Sequence, residues 1–364
     1  MEIPIIELSG TPHEMGYEYG RLDREGIRKN FQFYTGLWKY FGGQGPDQIF
    51  PELRKFTPYI AKVDPGLIEE MKGVAEGAAM SFEEILALNC RYELSFGVMV
   101  DAAKASLEGC TSFALTPEST KEDHTFVGQN WDNKIGLREA RRILRLQPEG
   151  KPEILIYTEA GVIGNKGLNS AGIGVCVNFM WCEKDTFKPG LPVWLKMRAL
   201  LNCNNLVECL RILTNFEGPN SINLMIAHRE GEAMDAECAP HDTFLLYPQG
   251  GILTHSNHFL SPALRIKDTG KNLVPDSLIR SHRAHHLFQK NHGYLDVNTI
   301  QGVMKDHFGF PNSICRHEDE ALHPYERWES LTSMIMDLTA GEMFYTVGPP
   351  CTNSYENIKL KQPT

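Results

Sequence analysis

The chemistry legible first sits at Gly109-Cys110, inside LEGCTSFALTP (residues 107–117). Thr111-Ser112 open a short β-rich run directly after the cysteine. A cysteine nucleophile ordinarily draws on a histidine base, and no motif marks any of the thirteen histidines as its partner. The α-amine of the cysteine itself can serve instead. Its ordinary pKa of about 7.7–8.0 leaves a good fraction neutral at physiological pH, and covalent geometry places it beside the thiol. That route requires the bond before Cys110 to be cut first. Glycine at 109 suits such a cut, because it tolerates strained backbone angles and crowds neither side of the bond. A buried structural thiol beside a turn is the plainer alternative.

Other chemistries find less support. The nine cysteines (90, 110, 176, 182, 203, 209, 238, 315 and 351) are odd in number and form no CxxC, and the chain has no N-x-[ST] sequon. A disulfide framework is not expected, and a reducing, cytoplasmic compartment is. There is no G-x-S-x-G elbow and no phosphate-binding GxxxxGK[ST] loop. GVIGNKGLNSAGIG (161–174) lacks GxGxxG spacing before a helix and reads as turns between strands. His282 and His286 stand i,i+4 apart, but without an H-E-x-x-H pattern the stretch IRSHRAHH reads as a solvated basic helix end. His255 and His258 read as packing or hydrogen-bonding residues. No metal site and no resident cofactor are expected.

These groups must be positioned by a chain of 364 residues with 42% hydrophobic and 23% charged residues, the balance of a globular protein with a sizeable core. A net charge of −10 disfavours nucleic acid as a partner. No run approaches the roughly 20 apolar residues of a membrane span. The opening MEIPIIELSG reads as no signal peptide, and the closing KLKQPT as no peroxisomal tripeptide. Residues 2–8 read as an edge strand. Thr11, Pro12 and Glu14 then open a capped helix running with interruptions to about Tyr40. GGQGPDQ (42–48) reads as a loop, Asp64-Pro65 as a helix start and Ser81 with Glu84 as a second capping box. After Gly109 the text turns to short β-rich runs, with helices expected at 192–214, 276–291 and 296–307, and two closing strands around TAGE. Strands and helices arriving in blocks predict layered antiparallel sheets with helices outside, an α+β fold rather than a doubly wound one.

Seven stretches in order resemble the isopenicillin N acyltransferase family, within the N-terminal-nucleophile (Ntn) hydrolases: GTPHEMGYEYG (10–20), EEMKGVAEGAAMSFEEILALNCRYE (69–93), EGCTSF (108–113), GQNWD (128–132), TEAGVIGNKGLNSAGIGVCVNF (158–179), THSNH (254–258) and FPNSICR (310–316). The resemblance implies an αββα sandwich of two antiparallel sheets. It also implies self-cleavage between Gly109 and Cys110. A mainly helical chain of residues 1–109 and a catalytic chain of residues 110–364 would then stay associated as one intertwined domain. By the same resemblance Cys110 is the nucleophile, Asp132 orients the freed amine and Asn257 donates to an oxyanion. Asn178 is a second oxyanion or positioning group, and Arg316 holds Asp132 or a substrate. Thr111 either assists processing or only pairs in its strand. The reaction implied is cleavage of small N-acyl amines or N-acyl amino acids through an acyl-Cys110 thioester. The alternative is N-acyl transfer to an amine with acyl-coenzyme A as co-substrate. Cys238 stands where fungal acyltransferases of this kind carry serine, and the peroxisomal tail of penicillin-making members is absent; both separate the chain from that particular role. Oligomeric state is not legible.

Overall fold

The protein is described by a computed structural model covering residues 2–42, 45–98, 109–216 and 218–361. Its strands are β1 (Ile5–Gly10), β2 (Gly109–Leu115), β3 (Phe126–Lys134), β4 (Arg141–Pro148), β5 (Ile154–Glu159), β6 (Lys166–Asn169), β7 (Ile173–Phe179), β8 (Ile222–His228), β9 (Ala233–Ala239), β10 (Asp242–Leu246), β11 (Ile252–His255), β12 (Trp328–Asp337), β13 (Glu342–Tyr345) and β14 (Glu356–Lys359). They form an eight-stranded sheet, β1-β4-β5-β6-β7-β8-β9-β10, and a six-stranded sheet, β11-β2-β3-β12-β13-β14. Neighbours run antiparallel except β1 and β4, which are parallel.

The two-residue period of a strand separates the layers. Along β2, Cys110 and Ala114 join the core between the sheets, while Phe113 and Leu115 join a second cluster with Phe288, Ile300 and Met304. Along β7, Gly174 and Asn178 face β3 and β2, whereas Phe179 stacks on Tyr92 and meets Trp194. Helices therefore cover both outer faces. Ser277–Lys290 and Val297–Met304 lie on the six-stranded sheet. Val193–Leu201 and the helices of the N-terminal segment lie on the eight-stranded one, and Leu206–Asn215 packs on Val193–Leu201. The expected αββα sandwich is what the chain forms. Among the described residues no helix is long and apolar enough to cross a membrane.

Local signals set the N-terminal helices. Both capping boxes form: Thr11 N–H donates to Glu14 at 2.9 Å and Ser81 N–H to Glu84 at 2.7 Å, each returned by the hydroxyl. Asp64 caps helix Pro65–Ala78 through Gly66 N–H at 2.9 Å. Helix Pro12–Leu22 crosses Pro65–Ala78 with glycines at the contact, since a Cβ on Gly16 would lie 2.0 Å from the Glu70 carbonyl oxygen and one on Gly77 2.0 Å from that of Tyr17. Backbones approach that closely only where side chains are absent. Two stretches differ from the expectation. Pro46 opens a helix, Pro46–Leu53, inside the 42–48 stretch read as loop, because proline fits the first helical turn; residues 43 and 44 lie outside the described residues. The glycine-rich 161–174 stretch holds β6, whose pairing with β5 and β7 overrides its weak local propensity. A third closing strand, β14, adds to the two expected around TAGE.

Buried ion pairs join the N-terminal segment to the rest. Arg198 grips Glu70 through two bonds of 2.8 Å, with both side chains at most 3% exposed. Arg91 pairs with Glu159 of β5, which also accepts from the Tyr34 hydroxyl at 2.8 Å. Removing one member of such a pair strands the other charge in the core. Glu70→Ala is therefore expected to cost about 3–5 kcal/mol in denaturant unfolding, and Glu70→Met with Arg198→Met far less. A Glu70→Ala protein as stable as wild type would show that the pair holds nothing.

Candidate active site

Cys110 is the second residue of β2 and only 2% exposed. Its backbone N–H donates to Asn257 Oδ1 at 2.9 Å. Its carbonyl oxygen accepts from the Ser256 hydroxyl at 2.9 Å and from Arg280 Nη1 at 2.7 Å. Arg280 also donates to Asn257 Oδ1 at 2.8 Å, to the Thr111 hydroxyl at 3.0 Å and to Asp276 at 2.7 Å. The same Asp276 oxygen accepts from Arg316 Nη2. Arg316 reaches Asp132 through Nε at 3.2 Å, and Asp132 takes a further bond from the Ser330 hydroxyl at 2.6 Å. Charges thus alternate along one path, buried except at the partly exposed Asp276: Asp132, Arg316, Asp276, Arg280, then the Asn257 amide on Cys110.

The path begins and ends at the bond before Cys110. Gly109 lies opposite Asp132 in the β2–β3 register. The Arg316 guanidinium stacks 3.8 Å from the Trp328 ring, and a Cβ on Gly109 would come within 2.5 Å of that ring and 3.3 Å of Arg316 Nε. Only glycine leaves both groups in place. Burial pushes the Asp132 carboxyl up to about 7, although Arg316 and Arg280 favour its charge. Burial opposes the charge on Asp276 as well, yet there the two arginines prevail and hold it below the ordinary carboxylate value.

The opposite sheet supplies Asn178. Its Oδ1 accepts from Ser112 of β2 at 2.6 Å and from Asn223 at 3.1 Å, while its Nδ2 is buried without a hydrogen-bond partner. An unpartnered buried donor costs about 1–3 kcal/mol. Asn257 is arranged the other way. Its NH2 donates to the Phe179 carbonyl at 2.9 Å, and it is its oxygen that faces Cys110. Lys166, fully buried, sits 4.0 Å from the Trp131 ring, and Trp131 is the cross-strand neighbour of Cys110.

The structure brings Cys110, Asp132, Asn257 and Arg316 into one bonded path with Gly109 at its end, and places Asn178 across the sheet interface. Arg316 is fully buried, not a surface residue beside the acidic 317–320 run. Thr111 both pairs in its strand and contacts Arg280. Sequence reasoning missed Arg280, Asp276, Ser256 and Lys166. IRSHRAHH is no solvated helix end throughout, since Arg280 is 1% exposed. Ser277, Arg280, Ser281, Ala284 and Phe288 form the buried stripe of helix Ser277–Lys290 at helical spacing. An arginine on that stripe, four residues after an aspartate, was the available signal.

A second buried cluster flanks the first. His255 donates one ring N–H to the Ser256 carbonyl at 2.9 Å and the other to Glu237 at 2.8 Å, with Asp235 at 3.8 Å. Burial opposes a charged ring, but the two carboxylates outweigh it and push the imidazole up to about 9. His258, which bonds the Ser277 hydroxyl at 2.7 Å, is pushed down to about 4 by burial and by the neighbouring His255. His255 stabilises the fold fully below its ordinary value of 6.5, and that stabilisation is lost as pH rises through about 9. Unfolding midpoints are expected to fall across this window in wild type and to flatten in His255→Gln. An unchanged slope in the variant would place the titrating group elsewhere.

A family model described as acyl-coenzyme A:6-aminopenicillanic acid acyl-transferase matches residues 119–350. The 40 kDa form of acyl-coenzyme A:6-aminopenicillanic-acid-acyltransferase from Emericella nidulans is 28% identical over 351 residues, 95% of this chain and 92% of its own length. Among solved structures, a variant of conjugated bile acid hydrolase from Clostridium perfringens has a TM-score of 0.47 at 15% identity, covering 70% of this chain and 98% of its own. The Caenorhabditis elegans ortholog of N-acylethanolamine-hydrolyzing acid amidase has a TM-score of 0.48 at 12% identity, covering 63% and 93%. The matched family span takes in nearly two thirds of the chain, with Asp132, Asn178, Asn257, Asp276, Arg280 and Arg316 inside it and Cys110 shortly before it. On that span, the chain belongs to the acyl-coenzyme A:6-aminopenicillanic acid acyl-transferase family.

Proposed function

We propose that the chain is a self-processing cysteine enzyme that cleaves the amide bond of small N-acyl amines or N-acyl amino acids. The observation carrying this reading is the backbone of Cys110, gripped at its N–H by Asn257 and at its carbonyl by Arg280 and Ser256, with a glycine in front where a Cβ would displace the Trp328 ring. In processing, the Cys110 sulfur attacks the Gly109 carbonyl carbon. A C–S bond forms, the C–N bond breaks, and the departing nitrogen takes the thiol proton. Water then hydrolyses the thioester, leaving residues 1–109 with a new carboxylate and Cys110 with a free amine. That amine becomes the base for later cycles, taking the thiol proton as the sulfur attacks a substrate carbonyl.

Asn257 Oδ1, already on the Cys110 nitrogen, holds the amine once it is freed. Arg280 fixes Asn257 and the Cys110 carbonyl together, so nucleophile and base move as one unit. Asp132, balanced against Arg316, faces the same end of β2. Asn178 serves as an oxyanion donor through its buried, unspent Nδ2, and Asn257, which gives one of its two amide N–H groups to the Phe179 carbonyl, keeps the other for the same role. The acyl group then leaves Cys110 to water.

A second reading, transfer of the acyl group from acyl-coenzyme A to an amine, is favoured by the family match and by the Emericella nidulans relative. The two differ in what loads Cys110. Incubated with N-acyl amides and with acyl-coenzyme A, the protein is expected to give an acyl adduct on the Cys110 peptide from the amides, detected by mass spectrometry. Labelling by acyl-coenzyme A alone would overturn the hydrolase reading, and no adduct from either would overturn both. Asn178→Ala is expected to lower kcat about 10²–10³-fold with little change in KM. Full turnover in that variant would move the oxyanion donor elsewhere.

A further inference from the structure

Four metal-ligand side chains converge where the sequence shows no ligand spacing. His307, Cys315 and His317 lie on the loop between helix Val297–Met304 and β12, and Cys351 lies on the loop between β13 and β14. Their ligand atoms all fall within 4.8 Å of one another. His317 Nε2 is 3.1 Å from His307 Nε2, 3.6 Å from Cys315 Sγ and 3.3 Å from Cys351 Sγ. A ring nitrogen has either one in-plane N–H or one lone pair. It can satisfy one of these three neighbours by hydrogen bonding, but not all of them.

A metal ion satisfies all four atoms at once. A tetrahedral zinc with Zn–N of about 2.05 Å and Zn–S of about 2.3 Å sets ligand atoms apart by about 3.3 Å for N to N and 3.6 Å for N to S. The observed separations at His317 lie near these edges. Two thiolates and two imidazoles are the donor set that selects zinc over magnesium or calcium. With four protein ligands the ion keeps no open position, which is the arrangement of structural rather than catalytic sites. His307 is exposed, and His317 and Cys351 are half-buried, so an ion enters from solvent.

We propose that His307, Cys315, His317 and Cys351 bind a structural zinc ion, contrary to the expectation of no metal. The site has a consequence for the buried path, because Arg316 stands between two of the ligands. A metal on Cys315 and His317 would hold the backbone on either side of Arg316, the residue whose guanidinium bonds Asp132 and Asp276. It also ties the Arg316 loop to the β13–β14 connection across the end of the six-stranded sheet. The ion comes into place as each cysteine releases its thiol proton to solvent, with no change of oxidation state. This inference stands whether or not Cys110 is the nucleophile.

The test is the metal content of the full chain, purified under reducing conditions after growth with added zinc. Elemental analysis is expected to find about one zinc per chain after dialysis, falling at least fivefold in His307→Ala and in Cys351→Ser. His307 is exposed, so its variant separates loss of metal from loss of fold, with circular dichroism as the check. Cobalt(II) exchanged into wild type is expected to show thiolate-to-metal charge-transfer absorption that Cys351→Ser lacks. A wild-type chain without zinc and without a cobalt spectrum would overturn the proposal. So would a disulfide between Cys315 and Cys351 found in the reduced-purified protein.

Discussion

The guanidinium of Arg280 holds the candidate site together. It is buried on a helix that covers the six-stranded sheet, yet it bonds the carbonyl of Cys110, the side chain of Thr111 and the amide of Asn257. A buried cation is tolerable only when it is paired and its donors are used. Asp276, four residues before Arg280, supplies the charge and shares one oxygen with Arg316. Arg316 in turn supports Asp132, opposite Gly109. Three separate parts of the chain, β2 with β3, the β11–helix connection and the loop before β12, are thereby locked to the two residues on either side of one peptide bond. Loss of any one charge leaves an uncompensated neighbour, so the path is set as a whole.

The N-terminal helices belong to the same arrangement. They add to the core that spans both sheets, and two buried ion pairs, Glu70 with Arg198 and Arg91 with Glu159, hold them to the later chain. On the proposed reading this explains how a chain can be cut at Gly109 without falling apart: those ion pairs are made by residues other than the ones at the cut. Tyr92, stacked on Phe179, donates its hydroxyl to the carbonyls of Met180 and Ser221. Phe179 is also the residue whose carbonyl accepts from the Asn257 NH2. The segment therefore braces the end of β7 next to the site.

What the sequence made legible was local. Capping boxes at Thr11 and Ser81, the helix start at Asp64-Pro65 and the block order of strands and helices all follow from nearest-neighbour chemistry, and each is present in the fold. Cys110, Asp132, Asn257 and Arg316 stand out through a resemblance, and the fold joins them by bonds that no spacing reveals. Arg280 escaped because a basic residue on a histidine-rich helix reads as solvated until its neighbours on the stripe are known. The orientation of Asn257 escaped because residue type does not say which end of an amide faces a nitrogen. The cluster at His307, Cys315, His317 and Cys351 escaped because its members are gathered from two loops separated by two strands. β6 escaped because its pairing partners, rather than its glycine-rich text, make it a strand.

Whether Cys110 becomes an N-terminus is decided by the intact mass of the purified protein. Two chains that copurify are expected, the larger beginning at Cys110, with a single uncut chain for Cys110→Ala. A wild-type protein that stays one chain through prolonged incubation, with Cys110→Ala equally active, would contradict the role given to this cysteine.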